Sequence, residues 1–582
     1  MPRPVLLISF LFLTVACWIV TAQVSVTSGA VRGVVSDNSG AVIANASVTL
    51  VSRSSGSRLS RSSNSAGIFA FPSQPVGLYA LEVTAPGFRR EIVEPVLVQI
   101  GQTTSLNVRL QPGAASEAIT VSGESPLLRT EDSNQSSIVN RELLDGLPLN
   151  GRRFLDFALL VPNASPDGQN GLVSFAGEQG GEDTGYANAN GANSFSVDGA
   201  SATSNYFGNA RGGEKVPYIF GENAIEEFQV AVSPYRAEYG GAASGFVNVV
   251  TRSGSDTMHG GGFYYNRNSG TGANDAVDKA NGFPRPVNIL QQFGGSLGGA
   301  LIPHRAWFFV DYEQQRQKNP ITAINAPFAD LDQTDFGLAD DTELPPPNSP
   351  FPVPSDLAQV PANPDSNPVY LQDVANALNA IQSNLGVQSR FANDWSLFSK
   401  IDYRDAKDDR FYLSLNWNRF DSPNGFILGP QTALFGKSTL ANAFVRDYHA
   451  SAGWSHAWGS NLLNEVHASF SRDDQYSTPT GMVDPVLPTV LLMPPGGEDE
   501  SSGGSNFQLG NAGFAGGRTN EALWQISDHV SYLHGKHTFK FGVEFTDTHL
   551  TDLAFGGLAA HSAETLTWSA MRTRSIPLIS RR

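Results

Sequence analysis

The feature that most constrains the fold is a set of long segments in the C-terminal half in which apolar and polar residues alternate. Three of them are residues 394–404, 410–420 and 537–549. In the last, apolar residues alternate with polar or small ones: Phe539, Phe541, Val543 and Phe545 against Lys540, Gly542 and Glu544. Period-2 alternation places the two sets on opposite faces of a strand. At about 11 residues the segments suit tilted membrane-spanning strands better than sandwich strands, although a soluble sandwich alternates in the same way.

The N-terminus indicates export. Residues 1–22 have one early basic residue, Arg3, then an apolar stretch and small residues before Gln23, which is the pattern of a signal peptide. Cys17, the single cysteine, lies inside that segment, so we expect no disulfide or Cys-metal site in the exported chain. An alternative interpretation makes Cys17 a lipid-attachment site. The net charge of −17 argues against nucleic acid as a partner.

Residues 26–110 contain about seven short alternating segments separated by turn residues, which predicts an all-β sandwich. The motifs at 33–37, 64–69, 76–79 and 85–88 resemble those of the carboxypeptidase regulatory-like domain, a prealbumin/Ig-like sandwich of the carbohydrate-binding-like superfamily. The segment has no His, so a zinc peptidase site is excluded. The name of the superfamily suggests a carbohydrate ligand, but we expect a spacer or interaction module.

Residues 111–122 read as a linker that contains a short β-prone stretch. Its sequence, in which Glu117, Ile119, Thr120 and Val121 are the candidate contacts, resembles the TonB box of outer-membrane receptors. An extended segment of this kind can add to the edge of a partner's sheet. The alternative is a plain exit linker of the sandwich.

Residues 123–252 contain five motifs in a fixed order: LPLNGR at 147–152, VDG at 197–199, IEEFQV at 225–230, AEYG at 237–240 and GFVNVVTRSG at 245–254. Together they are similar to the plug of Oar-like TonB-dependent outer-membrane receptors. The resemblance implies a small α/β plug domain with these candidate residues: Asn150, Gly151, Arg152, Asp198, Gly199, Glu227 and Phe228.

Local signals in the same region predict its elements. Asn140 is placed to cap a helix over 141–145, and Asp198-Gly199 predicts a tight turn. The paired acids Glu226 and Glu227 open a strand, and we expect them to be solvated rather than catalytic.

Residues 253–582 are expected to form part of an antiparallel transmembrane β-barrel. We count nine strands, near 257–267, 288–299, 305–317, 394–404, 410–420, 443–456, 461–473, 520–533 and 537–549. The family resemblance implies 22 strands, so the barrel is expected to be incomplete and the chain a truncated copy. The aromatic residues Trp395, Tyr403 and Trp417 suit the girdles at the two membrane interfaces.

No enzyme motif is present, and we predict no catalytic residue, cofactor or metal. Two weak metal candidates are the acidic run at 178–183 and a group formed by His529, His534 and His537. The first is expected to be a solvated loop and the second a turn-region cluster.

The resemblance implies a TonB-dependent receptor or transporter in the outer membrane, with periplasmic N-terminal domains. Its partners would be a TonB-ExbB-ExbD-type energy-transducing complex, outer-membrane lipid and a carbohydrate or peptide ligand. Two alternatives stay open: a surface carbohydrate-binding or adhesion protein anchored by the barrel, and a non-functional truncated copy.

Overall fold

The computed structural model divides the chain into three β-rich parts. It describes residues 27–113, 118–122, 136–147, 149, 151–166, 173–175, 193–206, 210–212, 216–232, 245–274, 276, 279, 285, 287–323, 371–372, 375–376, 378–379, 386–406, 408–425, 431–432, 441–459, 462–479, 490–492, 507–509, 517–534 and 537–554. Over these residues, no helix has the length and apolar character needed to cross a membrane.

The first part, which we call the sandwich, has eight strands. They are β1 (Gly29–Asp37), β2 (Ser47–Ser52), β3 (Arg58–Ser62), β4 (Ile68–Gln74), β5 (Gly77–Thr84), β6 (Arg90–Val98), β7 (Thr103–Leu110) and β8 (Ala118–Ser122). One sheet has the order β4-β1-β7 and the other β3-β2-β5-β6-β8. Alternate apolar side chains of both sheets, among them Val31, Leu50, Phe71 and Leu81, form one buried core, as the alternation predicts.

The second part, which we call the plug, has seven strands and one α-helix among its described residues. The strands are β9 (Ser136–Val139), β10 (Ala164–Pro166), β11 (Val173–Phe175), β12 (Ser194–Val197), β13 (Ala200–Ser201), β14 (Ile225–Val232) and β15 (Gly245–Thr251). The helix is α1 (Arg141–Gly146), and two 3-10 turns occupy Phe154–Leu160 and Glu222–Ala224. The central sheet has the order β13-β12-β15-β14-β9.

Two local predictions for the plug are confirmed. The side chain of Asn140 caps α1 by accepting a hydrogen bond from the backbone N–H of Leu143 at 3.2 Å. Asp198 and Gly199 have φ angles of 48° and 80° and connect β12 to β13 as a two-residue hairpin turn. Positive φ at both positions is the geometry that favours Asp-Gly.

The described residues of the third part contain fourteen strands and a short 3-10 turn at Ser269–Thr271. The strands are β16 (His259–Asn268), β17 (Ile289–Ile302), β18 (Ala306–Lys318), β19 (Ile321–Ala323), β20 (Gly386–Gln388), β21 (Phe391–Arg404), β22 (Arg410–Ser422), β23 (Gln431–Thr432), β24 (Ala441–Trp458), β25 (Leu462–Pro479), β26 (Val490–Leu492), β27 (Phe507–Leu509), β28 (Gly517–His534) and β29 (His537–Ala554).

Nine of these strands form one antiparallel sheet, which we call the barrel sheet, in the order β16-β17-β18-β21-β22-β24-β25-β28-β29. The nine predicted strands all occur in it, and the observed strands extend up to six residues further. Across the described residues the sheet stays open, with β16 and β29 at its edges.

The two faces of the barrel sheet differ as the alternation predicts. On β22, Leu413 and Leu415 are 45% and 48% exposed, whereas Ser414 and Asn416 are buried against the plug. On β29, Lys540 and Glu544 lie opposite Ser531 and Ser527, which are buried on the inner face. Since directly opposed residues share a face, Phe541, Val543 and Phe545 point outward, as predicted; all three are exposed.

The two ends of the barrel sheet also differ. At one end the strands are joined by short turns, residues 303–305, 405–409, 459–461 and 535–536. At the other end the connections are long, residues 269–288, 319–390, 423–440 and 480–516. The sandwich contacts the short-turn end: Arg410 donates to the carbonyl of Ser73 at 2.7 Å, and Ser73 donates to Glu465 at 2.7 Å.

Candidate functional site: the plug against the barrel sheet

The LPLNGR motif places one cation between the plug and the barrel sheet. Gly151 and Arg152 both have positive φ angles, 93° and 54°, which turn the Arg152 side chain toward β18. Its guanidinium donates to both carboxylate oxygens of Glu313 at 3.1 and 3.2 Å and lies 3.4 Å from Glu222. Burial is the largest influence and lowers the pKa of Arg152, but the charge and hydrogen bond of Glu313 and the charge of Glu222 together outweigh it and hold that pKa above its usual value. The pair is therefore a buried, charged anchor.

The VDG motif and the GFVNVVTRSG motif meet at a second contact. Asp198 accepts from the Thr251 backbone N–H at 3.0 Å and from its hydroxyl at 2.5 Å. From β21, the Lys400 ammonium lies 3.4 Å from the Asp198 carboxylate, and from β22 the Tyr412 hydroxyl donates to the Asp198 carbonyl at 2.6 Å. Asp198 therefore closes the hairpin turn and also joins the plug to two barrel strands.

The third contact centres on Arg211, which the sequence reasoning missed. Arg211 is 3% exposed, and its guanidinium donates to Asp447 at 3.1 Å and Ser471 at 2.6 Å. The next residue, Gly212, donates its backbone N–H to Asp473 at 3.1 Å. Burial is the largest influence and lowers the Arg211 pKa, but the charges of Asp447, Asp473 and Glu521 and the Asp447 hydrogen bond together outweigh it and raise the pKa overall. No local pattern marked Arg211, because its partners lie more than 230 residues further along the chain.

A fourth contact lies beside Arg211 on β28. The Glu521 carboxylate accepts from the Ser204 hydroxyl and from the Asn205 backbone N–H, both at 2.9 Å. Glu521 is 1% exposed. The barrel sheet therefore presents buried carboxylates on β18, β24, β25 and β28, and the plug meets them with arginines and backbone donors.

The IEEFQV motif lies in β14, and one of its two acidic residues is buried rather than solvated. The prediction that Glu226 and Glu227 are both solvated is wrong for Glu227, which is 5% exposed and accepts a hydrogen bond from the Ile100 backbone N–H of the sandwich. Burial raises the pKa of Glu227 to about 8, and the Ile100 hydrogen bond opposes that shift. Phe228 is fully buried and packs edge-on against Phe154 at 5.7 Å in the plug core.

The candidate TonB-box segment forms β8. Residues 118–122 pair in parallel with β6, with Ile119 opposite Glu91, Thr120 opposite Ile92 and Val121 opposite Val93. Thr120 is exposed. Glu117 lies outside the described residues, as do Asn150, the acidic run at 178–183 and the AEYG motif at 237–240.

The predicted histidine group is spread along β28 and β29. His534 pairs with His537 in the ladder, and the His529 ring lies 6.4 Å from that of His467. Within the described part of the chain, no three His, Cys, Asp or Glu side chains converge as a metal site requires.

A cavity of about 350 Å³ opens where the plug meets the long-connection end of the barrel sheet. Arg153 and Asp156 line it from the plug, and Gln315, Arg390 and Phe420 line it from the barrel side. Arg153 is ion-paired with Asp156 at 2.6 Å, and Arg390 donates to the Asn319 carbonyl at 3.0 Å. Phe391 lines it as well, so the cavity offers two guanidinium groups, amides and two aromatic rings to a polar ligand.

Aromatic residues on the outer face form two belts. Toward the long connections, Trp417 lies 5.0 Å from Trp395 and 5.8 Å from Tyr448. Toward the short turns, Tyr403 lies 6.2 Å from Phe411. The three aromatic residues predicted for the girdles therefore divide between two levels. Trp395 and Tyr403 are eight residues apart on one strand, or ~26 Å along it.

An antiparallel sheet with an apolar outer face, aromatic belts and a domain packed on its polar inner face is the architecture of a plugged outer-membrane barrel. Residues 250–565, more than half of the chain, match the outer membrane beta barrel domain family, and the chain belongs to that family. The protein is thus an outer-membrane protein. Residues 30–111 match the carboxypeptidase regulatory-like domain, which confirms the resemblance drawn from the sandwich motifs.

The chain is also similar to individual proteins. The chain is 25% identical over 294 residues to the TonB-dependent transporter Oar of Myxococcus xanthus, covering 47% of this chain and 26% of Oar, which confirms the Oar-like resemblance. Among solved structures, it is similar to the outer membrane transporter YddB of Escherichia coli, with 10% identity, a TM-score of 0.45 and coverage of 71% of this chain and 48% of YddB.

The chain is also similar to the ferric enterobactin receptor PfeA of Pseudomonas aeruginosa, with 14% identity, a TM-score of 0.40 and coverage of 72% of this chain and 50% of PfeA. The chain therefore spans about a quarter of the length of the curated relative and half of these solved ones. All three are transporters or receptors by name.

Proposed function

We propose that this protein acts in TonB-dependent uptake across the outer membrane, as a receptor or transporter whose plug is held in the lumen until energy is supplied. The observation that carries the proposal is the set of plug-to-barrel anchors. Arg152, Asp198 and Arg211 each reach a different group of barrel strands, and all three are buried. Buried ion pairs hold one geometry and are costly to break singly, so the plug moves only when force is applied.

The same proposal divides the chain into a signal peptide at 1–22, a sandwich at 26–110, a linker with the coupling segment at 111–122, a plug at 123–252 and barrel strands at 253–582. Among the described strands, no sheet includes strands from two of the three parts, which supports this division. In this scheme no residue is catalytic and no cofactor is used.

The sandwich faces the periplasm in this proposal. Outer-membrane barrels have short periplasmic turns and longer external loops. The sandwich contacts the short turns through Arg410 and Arg404, the latter donating to the Arg58 carbonyl at 3.2 Å. This placement argues against the alternative of a surface adhesin, in which the sandwich would have to meet external polysaccharide.

The external ligand would then enter at the cavity lined by Arg153 and Arg390. Guanidinium groups bind carboxylate and phosphate oxygens, so the cavity fits an anionic or strongly polar ligand, including an acidic carbohydrate or a peptide carboxylate. The energy-transducing partner would be a TonB-ExbB-ExbD-type complex that binds residues 118–122 from the periplasm.

The test measures binding of the purified periplasmic C-terminal domain of the host's TonB protein to the full chain in outer-membrane vesicles. Thr120→Pro removes a backbone N–H in the middle of β8 and is expected to weaken binding at least ~10-fold, the effect of losing about 1.4 kcal/mol. Thr120→Ser is the matched control and should bind like the parent chain. Equal binding by Thr120→Pro would refute the assignment of this segment.

A further inference from the structure

The strand β8 lies at one edge of the five-stranded sheet of the sandwich. Its five residues pair with β6 from Arg90↔Ala118 to Glu94↔Ser122. At the opposite edge of the same sheet, β3 meets the short turns, since Arg404 donates to the Arg58 carbonyl and Arg61 donates to the Gly459 carbonyl. Four strand spacings separate β3 from β8, which places β8 ~19 Å from that contact.

One side of β8 pairs with β6. In the described part of the chain, no strand pairs with the outer edge of β8. An edge strand carries unpaired N–H and C=O groups on alternate residues and is a template for strand addition. The extended conformation that a partner strand needs is therefore already formed.

The strand β6 also leads directly to the plug. It ends at Val98, and the turn that follows places the Ile100 N–H on the Glu227 carboxylate of β14. The next residue, Gly101, lies so close to Gln229 that a Cβ there would be 2.7 Å from its Oε1 atom. One strand therefore holds β8 along its length and contacts the plug sheet at its end.

We propose that the sandwich is the platform for energy coupling. It presents β8 as a preformed edge to which a strand of the TonB-type partner adds. It then transmits the partner's pulling force through β6 and Ile100 to the plug. This inference rests on the proposed function and deepens it by giving the carboxypeptidase regulatory-like domain a role. Fixing the backbone of one residue costs about 1–2 kcal/mol, so a strand ordered beforehand binds its partner more tightly than a free linker.

The test locks β8 onto β6 with a disulfide. Ile92 and Thr120 are directly opposed, so their side chains share a face of the sheet, and Thr120 is exposed. The single cysteine, Cys17, lies in the segment expected to be removed, so Ile92→Cys/Thr120→Cys adds the only thiols to the mature chain. Thr49→Cys/Ser60→Cys is the matched control in the β2–β3 ladder, where the two hydroxyl oxygens are 2.8 Å apart. The probe is again the periplasmic domain of TonB, added to the full chain in vesicles.

We expect the disulfide to form under mild oxidation and the oxidised chain to bind the probe at least as tightly as the reduced chain, with the control pair unaffected. Failure of the disulfide to form would overturn the β6–β8 pairing. Loss of binding only in the oxidised form would overturn the platform, because β8 would then have to leave β6 to meet its partner. Absence of binding by the parent chain and both reduced variants would instead overturn the proposed function itself.

Discussion

Replacing Arg211 should release the plug from the barrel sheet much more readily than replacing Arg153, a plug arginine in a more exposed ion pair. Arg211→Met removes the cation that faces Asp447 at 3.1 Å and Ser471 at 2.6 Å. Asp447, Asp473 and Glu521 are 0%, 2% and 1% exposed, so the carboxylates cannot turn to water while the plug stays docked. Breaking a buried pair in this way costs roughly 3–5 kcal/mol, which is a factor of roughly 150–4,000 in the docking equilibrium.

The assay uses one cysteine introduced on the plug. Ala224 is fully buried, so an Ala224→Cys thiol reacts with a maleimide only when the plug leaves its site. Urea titration of outer-membrane vesicles then gives the concentration at which the thiol becomes reactive. Arg211→Met should lower that concentration clearly. Arg153→Met, which breaks a more exposed pair with Asp156, should cost about 1 kcal/mol or less.

A second variant checks the cause. In the Arg211→Met background, Asp447→Asn removes the uncompensated charge and should restore part of the docking stability, whereas in the parent chain the same change should weaken docking. The reasoning is refuted if Arg211→Met releases the plug at the same urea concentration as Arg153→Met.

Three further predictions concern other parts of the chain. Leu415→Arg places a charge on the exposed face of β22 and should cost roughly 2–4 kcal/mol of membrane stability, seen as protein extracted by urea, while Leu415→Met should stay in the membrane. Burial raises the pKa of Glu227 from 4.5 to about 8, so the protonated form of Glu227 favours the sandwich–plug contact. We therefore expect the contact to be strongest below pH 4.5 and to weaken as the pH rises through about 8. Hydrogen exchange of the Ile100 amide should report this weakening, and Glu227→Gln should abolish its pH dependence. Identical pH profiles for the parent chain and Glu227→Gln would contradict the argument. Intact mass of the exported protein should correspond to a chain starting at Gln23, and a mass that includes residues 1–22 would exclude a cleaved signal peptide.

The strands of the barrel sheet could be predicted because their pattern is local. Each has one apolar and one polar face, so residues such as Leu413 and Ser414 reveal their orientation without knowledge of any partner. The turn at Asp198-Gly199 and the cap at Asn140 were predictable for the same reason, since only a few neighbouring residues determine them.

The plug contacts could not be predicted in the same way. Seven of the eight residues of β14 are buried, so the strand shows no alternation and nothing distinguished Glu227 from a solvated acid. Arg211 sits in a Gly- and Asn-rich region, and its role depends on Asp447 and Ser471, which only the folded barrel sheet brings near. Long-range electrostatic partners leave no spacing signal in a single sequence.

The two aromatic belts also determine which lipid suits the protein. Trp395 and Tyr403 are ~26 Å apart along β21, and a strand tilt of about 40° reduces this to ~20 Å along the membrane normal. That height is below the usual thickness of about 30 Å of a bilayer's hydrocarbon core and suits a thin membrane. Reconstitution in lipids with short acyl chains should therefore keep both belts at the interfaces. A bilayer of lipids with long acyl chains would have to become thinner around the protein.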